Sequence, residues 1–161
     1  MSDINRSDRP AWTVAAAPRT VIHPTRTTDI LVTFDDWSEL TGILARELAE
    51  GRFRSASRLA IRLGQARVVS AAEIPPECMT MHTRGRYRDD SGAVREATLV
   101  YPGHQRASHM LVSVTSELGA ALLGLSVGMR TSWHGVMGPR SVELLDVQHQ
   151  PERARRNPLA R

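Results

Sequence analysis

The stretch SELGAALLGLSVG, residues 116–128, lies between two runs that alternate like β-strands. Its composition is helical. Leu118, Leu122 and Leu125 recur at the spacing of one helix face. Gly124 stands where a left-handed residue would end that helix. So short an apolar helix must be covered, and the neighbouring sequence supplies the cover. SHMLVSVTS (108–116) precedes it, and MRTSWHGV (129–136) and RSVELLDVQHQP (140–151) follow, the last two joined by a turn at MGPR (137–140). Further upstream, MTMHTRGRYRDD (79–90) and VREATLVYPG (94–103) flank a turn at SGAV (91–94). Residues 78–150 therefore read as an antiparallel sheet of about five strands with one helix inserted before the last pair. The three leucines plug the sheet. Ser116, Glu117 and Gly119 are rim residues, and the small ones among them keep the exposed rim low enough for a partner to reach.

The chain before the sheet is helical. DILVTF (29–34) is a short strand candidate, and DDWSEL opens a helix with Asp36 as its cap and Glu39 completing a capping box. Trp37, Leu40, Leu44 and Leu48 form its apolar stripe. EGRFRS (50–55) breaks the pattern, and SASRLAIRLGQARVV (55–69) resumes it with Leu59, Leu63 and Ala66 on one face. Two short helices joined by a tight link predict an antiparallel hairpin, each arm roughly 20 Å long. SAAEIPPE (70–77) is a linker that Pro75 and Pro76 keep from continuing the helix. The fold class is thus α+β. The chain divides into a flexible, proline-broken arm (1–28), a short strand and helical hairpin (29–74), the sheet domain (75–150) and a disordered, arginine-rich tail (151–161). Trp12 is a misfit in the arm.

Composition narrows the function. Of 161 residues, 41% are apolar and only 4% aromatic, which argues against an aromatic-lined catalytic pocket. All 21 basic residues are arginine, and the net charge is +4. That balance allows an acidic partner surface or a weak contact with nucleic acid and demands neither. The lone Cys78 permits no internal disulfide, no apolar run approaches the roughly 18 residues of a membrane span, and the N-terminus does not read as a secretory signal. A soluble, cytoplasmic, monomeric protein is expected.

TMHTRGRYRDDSGAVREATLVYP, followed by LVSVTSELGAALLGLSVG and ending in VQHQPE, resembles the Rnk family, the regulators of nucleoside diphosphate kinase, which are short relatives of the Gre transcript-cleavage factors. The likeness covers about residues 30 to 152. Its most specific parts are Ala120-Ala121-Leu122-Leu123-Gly124 with Gly128, and TLVYP at 98–102. The resemblance implies an FKBP-like, curled C-terminal sheet that docks at the rim of the secondary channel of RNA polymerase, beside a helical hairpin shorter than that of Gre factors. It places the partner-binding turn at Ser116, Glu117, Gly119, Gly124, Gly128 and Met129. Two positions depart from the family pattern: Glu117 replaces a proline, and Met129 an aspartate.

Cleavage-stimulating Gre factors carry two carboxylates at the hairpin tip, because a second Mg²⁺ must be held there by an anionic ligand. The tip expected here is Glu50, Gly51, Arg52, Phe53 and Arg54, one carboxylate beside two arginines. Asp35 and Asp36 lie at the opposite end of the helix. No stimulation of transcript cleavage is expected. The FKBP-like fold also hosts prolyl isomerases, but only Tyr87, Tyr101 and Trp133 supply aromatic surface in 78–150. No nucleophile–base pair or phosphate loop is present, so no enzyme and no cofactor is expected. His82, His104, His109 and Cys78 match no zinc spacing, and no metal is expected. Arg84, Arg86 and Arg88 share one strand face, either as a nucleic-acid contact or as a solvated face paired with Asp89, Asp90 or Glu96.

Overall fold

The computed structural model describes residues 30–104 and 110–152. The expected arm 1–28, His109 and most of the expected tail lie outside the described residues. The helical half is bracketed by two strands, β1 (Ile30–Thr33) and β2 (Ala66–Val69), which pair in parallel. Between them run α1 (Phe34–Ala49) and α2 (Phe53–Gly64) as an antiparallel hairpin. At 1.5 Å per residue the arms span about 24 and 18 Å. Ala66–Val69 was expected to continue α2. Gly64 ends the helix instead, and Val68 and Val69 are β-branched residues that fit a pleated strand better than a helical turn. Their pairing with β1 also gives that strand the partner it needs.

Two further expectations for α1 are corrected. Its cap is Thr33, whose Oγ1 accepts from Asp36 N at 3.1 Å, so Asp36 is not the cap. The buried face is Leu40, Ile43 and Glu47, with Leu44 half-buried, while Trp37 and Leu48 remain exposed. A carboxylate can occupy this inner face because Arg52 binds it, as described below.

The sheet domain begins with β3 (Arg84–Asp89) and β4 (Val94–Val100), an antiparallel hairpin. β5 (Leu111–Ser113), α3 (Glu117–Leu122), β6 (Arg130–Gly135) and β7 (Gly138–His149) follow. The strand order is β5-β4-β3-β7-β6. All neighbours are antiparallel except β4 and β5, which are parallel, so the sheet is curled and mostly antiparallel rather than wholly so. The β6–β7 turn is Val136-Met137, not MGPR. Pro139 and Arg140 already pair with β6. Proline is tolerated there because β7 has not yet reached β3, whose pairing starts at Val142. Glu152, expected in the tail, is buried and accepts from Thr80 Oγ1 at 2.9 Å.

One apolar cluster joins both halves. Ile30, Val32, Leu40, Ile43, Leu59 and Leu63 from the helical half pack in the same body as Met79, Leu99, Leu122, Leu125 and Leu144 from the sheet. Leu122 and Leu125 are plug residues as expected, and Leu118 is half-buried. Gly124 adopts φ +71°, and a Cβ there would run into Ile30. Gly128 adopts φ +81° with open space around it. Gly124→Ala therefore costs both the left-handed backbone penalty and a collision between β1 and the plug, about 2–4 kcal/mol together. Gly128→Ala costs only the backbone penalty, about 1–2 kcal/mol. Chemical denaturation of the two variants should separate them in that order.

Candidate functional site

The expected tip residues do gather at the α1–α2 link, and the structure adds one that sequence reasoning missed. Glu47, on the last turn of α1, is only 6% exposed. Arg52 grips it in two-pronged fashion, Nε to Oε2 at 2.9 Å and Nη2 to Oε1 at 2.6 Å, and its Nη1 also pairs with Glu50. The Glu47 hydrogen bond holds the Arg52 guanidinium well above its ordinary pKa. The tip thus contains two carboxylates and a guanidinium that binds both. Phe53 and Arg54 are exposed beyond it. The signal for Glu47 was its position four after Ile43, on the inner face of the stripe.

Asp36 lies at the base of α1, and its Oδ1 accepts from the Tyr101 hydroxyl at 2.8 Å. This bond ties the hairpin to the end of β4. Burial, reinforced by that bond and by neighbouring acidic residues, pushes the Tyr101 phenol far up. His82 and His104 stack edge-on against the Tyr101 ring, at 5.3 and 6.3 Å between centroids. Cys78 is buried, and burial pushes its thiol up to about 12. Among the described residues no group of three or more histidine, cysteine, aspartate or glutamate side chains could hold a metal ion.

The expected partner-binding residues separate into three groups. Ser116 caps α3: its Oγ donates to Ser113 O at 2.7 Å and accepts from Gly119 N at 3.0 Å. Glu117 is exposed beside it and accepts from Trp133 Nε1 at 3.3 Å. Gly119 and Gly124 are buried, and a side chain at either would strike Ser113 or Ile30. Gly128 and Met129 precede β6, bonded to Leu144 of β7. They lie at the opposite end of β6 from Glu117, which sits against Gly135. One continuous rim is therefore not formed.

The arginine face of β3 is formed as expected and is neutralised. Arg84 pairs with Glu96 at 2.8 Å, Arg86 with Asp146 at 3.7 Å and Arg88 with Glu143 at 2.9 Å. Glu96 was an expected partner. Asp89 and Asp90 instead bind Arg95 and Arg140 at the sheet's end. Tyr87 and Trp133 share a depression of about 210 Å³ with Leu118 and Val142, walled by Asp89, Arg95, Glu117 and Arg140. That is smaller than the roughly 300–1,000 Å³ usual for a ligand pocket, and Tyr101 lies elsewhere.

Comparison with known proteins agrees with this geometry. Residues 75–149 match the C-terminal domain of the GreA/GreB transcription elongation factors. The regulator of nucleoside diphosphate kinase of Escherichia coli strain K12 is 37% identical over 119 residues, which cover 73% of this chain and 88% of that protein. The protein of the same name from Shigella flexneri gives the same figures. Among solved structures, a prokaryotic transcription elongation factor GreA/GreB from Nitrosomonas europaea superimposes with a TM-score of 0.61 at 30% identity, covering 75% of this chain and 98% of that one. These relatives are named regulators or factors rather than enzymes. No helix among the described residues is long and apolar enough to cross a membrane.

The two tyrosines of the chain both have raised phenols, Tyr87 chiefly through burial. Each folded pKa lies above the unfolded value of about 10. The stability they contribute is therefore fully present below about pH 10 and lost as pH rises through the folded values. An absorbance titration near 295 nm should show less phenolate at pH 10 in the folded protein than in denaturant, where tyrosine is about half-ionised at that pH.

Proposed function

The chain belongs to the family of the regulators of nucleoside diphosphate kinase, and from that premise we propose that it is a non-enzymatic transcription regulator. It binds RNA polymerase near the secondary channel through its C-terminal domain and does not stimulate transcript cleavage. The observation that carries the second half is the tip. Both carboxylates near it, Glu47 and Glu50, are occupied by Arg52. A Mg²⁺ ion would have to displace a guanidinium from a nearly buried carboxylate and then sit beside that positive charge. The hairpin is also short, with α2 only 12 residues long. A finger of this kind fills space in a channel and offers no free anionic ligand to a catalytic metal.

The first half is supported by the match of residues 75–149 to the GreA/GreB C-terminal domain. Of the residues expected at the docking turn, Glu117 is the exposed charged one, at the start of α3. Ser116 orients it by capping the helix. Gly119 and Gly124 serve docking only indirectly, by letting α3 settle against Ser113 and β1. Gly128 and Met129 belong to a second, separate edge.

Charge reversal at an interface disturbs affinity more than shape. Glu117→Arg should weaken retention of the protein by core RNA polymerase about tenfold or more, while Arg67→Glu, on β2, should leave it unchanged. A backtracked elongation complex should release cleaved RNA no faster with the protein than without it. Retention by core polymerase that is absent for the wild type would overturn the docking reading; accelerated cleavage would overturn the reading of the tip.

A further inference from the structure

We propose that the cleft between α2 and the β6–β7 turn is a docking site for an acidic helical segment of a protein partner. The segment carries two carboxylates one turn apart and an aliphatic side chain one turn further on. The cleft has a volume of about 470 Å³ and is lined by Arg54, Ser57, Arg58, Ile61, His134 and Val136, with Glu117 at its edge. It goes beyond the polymerase reading, because the chemistry of the cleft defines the segment whichever protein carries it.

Charge is the first argument. On the sheet, Arg84, Arg86, Arg88, Arg95 and Arg140 each face a carboxylate of this chain. Arg54 and Arg58 have no carboxylate at ion-pair distance among the described residues. They stand four apart on α2, about 6 Å along its axis, which is the spacing of two carboxylates at i and i+4 on a facing helix. Arg58 is already held for the purpose. Its guanidinium lies over the Trp133 ring at 5.5 Å from the centroid and donates to His134 O at 3.3 Å. Less side-chain freedom is then lost when a carboxylate arrives. The single carboxylate in the cleft, Glu117, accepts from Trp133 Nε1 at 3.3 Å and forms no ion pair with Arg54 or Arg58 among the described residues.

Apolar exposure is the second argument. Ile61 is 61% exposed, Val136 71% and Met137 90%. Arg54, Arg58 and Ile61 fall at i, i+4 and i+7 and share one face of α2. That face presents two cations and then an aliphatic group, with Val136 opposite. A nucleic acid would be served differently. A single strand held by stacking would need a free aromatic face, and the nearby Trp133 ring already carries Arg58; a phosphate would use the arginines and leave the aliphatic groups uncovered.

The test is a titration of the ¹⁵N-labelled full chain, followed by amide and indole shifts. The probes are an alanine-based helical peptide with Glu at i and i+4 and Leu at i+7, the same peptide with Gln for Glu, and a short single-stranded oligouridylate. Saturable shifts confined to 54–61, 133–138 and the Trp133 indole are expected with the Glu peptide. The Gln peptide, and the Glu peptide on Arg58→Gln or Val136→Ser, should bind at least fivefold more weakly, with the remaining spectrum of each variant unchanged. Absent shifts at millimolar Glu peptide, equal binding of the two peptides, or the same resonances moved at lower concentration by the oligouridylate would each overturn the proposal. Polymerase retention is read separately, so loss of one result leaves the other interpretable.

Discussion

The Arg62 guanidinium, reaching from α2 into the C-terminal carbonyls of α3, holds the two halves of the molecule in one body. Its Nη2 donates to Ala121 O at 3.0 Å and to Leu123 O at 2.5 Å. Those carbonyls are the ones a helix end leaves without intrahelical partners, and a cation there also complements the helix dipole. Burial draws the guanidinium down to about 10, still charged at neutral pH. Its desolvation cost is offset in part by the charge-assisted bonds from Nη2, while Nε stays buried without a partner among the described residues. Beside this contact Gly124 turns left-handed and lets Ile30 of β1 lie directly on the plug. Arg62 and Gly124 together make the hairpin and the sheet share a core, with Tyr101 and Asp36 adding a tie at the base of α1.

That coupling governs what the hairpin can do. A finger anchored at its base by Arg62, Asp36 and the β1–β2 pair has few ways to re-aim itself. Its tip is closed by the same kind of bond. Arg52 binds both the buried Glu47 and the exposed Glu50, so the carboxylates nearest to the tip stabilise the link. The design uses arginine as an internal strut three times over: at the base of the hairpin, at its tip, and along the sheet face.

The parts of the fold legible in the sequence were those set by periodicity. The plug leucines, the β3–β4 alternation and the hairpin link follow from spacing and from turn residues, and the structure has them. Elements decided by pairing were less legible. Val68 and Val69 look helical when read onward from α2, and only β1 makes them a strand. The capping error at Asp36 has the same origin. Thr33 and Asp36 both suit a helix start, and the choice went to the residue whose neighbour was already in a strand; Asp36 was then free to receive Tyr101 from 65 residues away. The site was legible in residue type and illegible in burial. Glycines that read as a recognisable rim at 119 and 124 are used against the chain's own backbone, while Glu117 is the part left outside.

The contrast between the two arginine-rich surfaces follows from the geometry of the elements that carry them. On β3, neighbouring strands bring side chains of opposite charge to within a few ångströms at every second residue, so a cationic stripe is almost obliged to find cross-strand partners. Arg84, Arg86 and Arg88 do so, and a phosphate backbone would have to compete with three carboxylates for them. On the outer face of α2, Arg54 and Arg58 have no carboxylate at ion-pair distance among the described residues. Across the cleft stand the end of β6 and the β6–β7 turn, which offer Trp133, His134 O and Val136, and α3, which offers a single carboxylate, Glu117. Unpaired positive charge therefore remains where a helix meets a turn and disappears where strands meet strands. A sequence-level count of arginines would rank β3 as the binding surface. Cross-strand pairing reverses that ranking and leaves the charge on α2, next to the exposed aliphatic groups Ile61 and Val136.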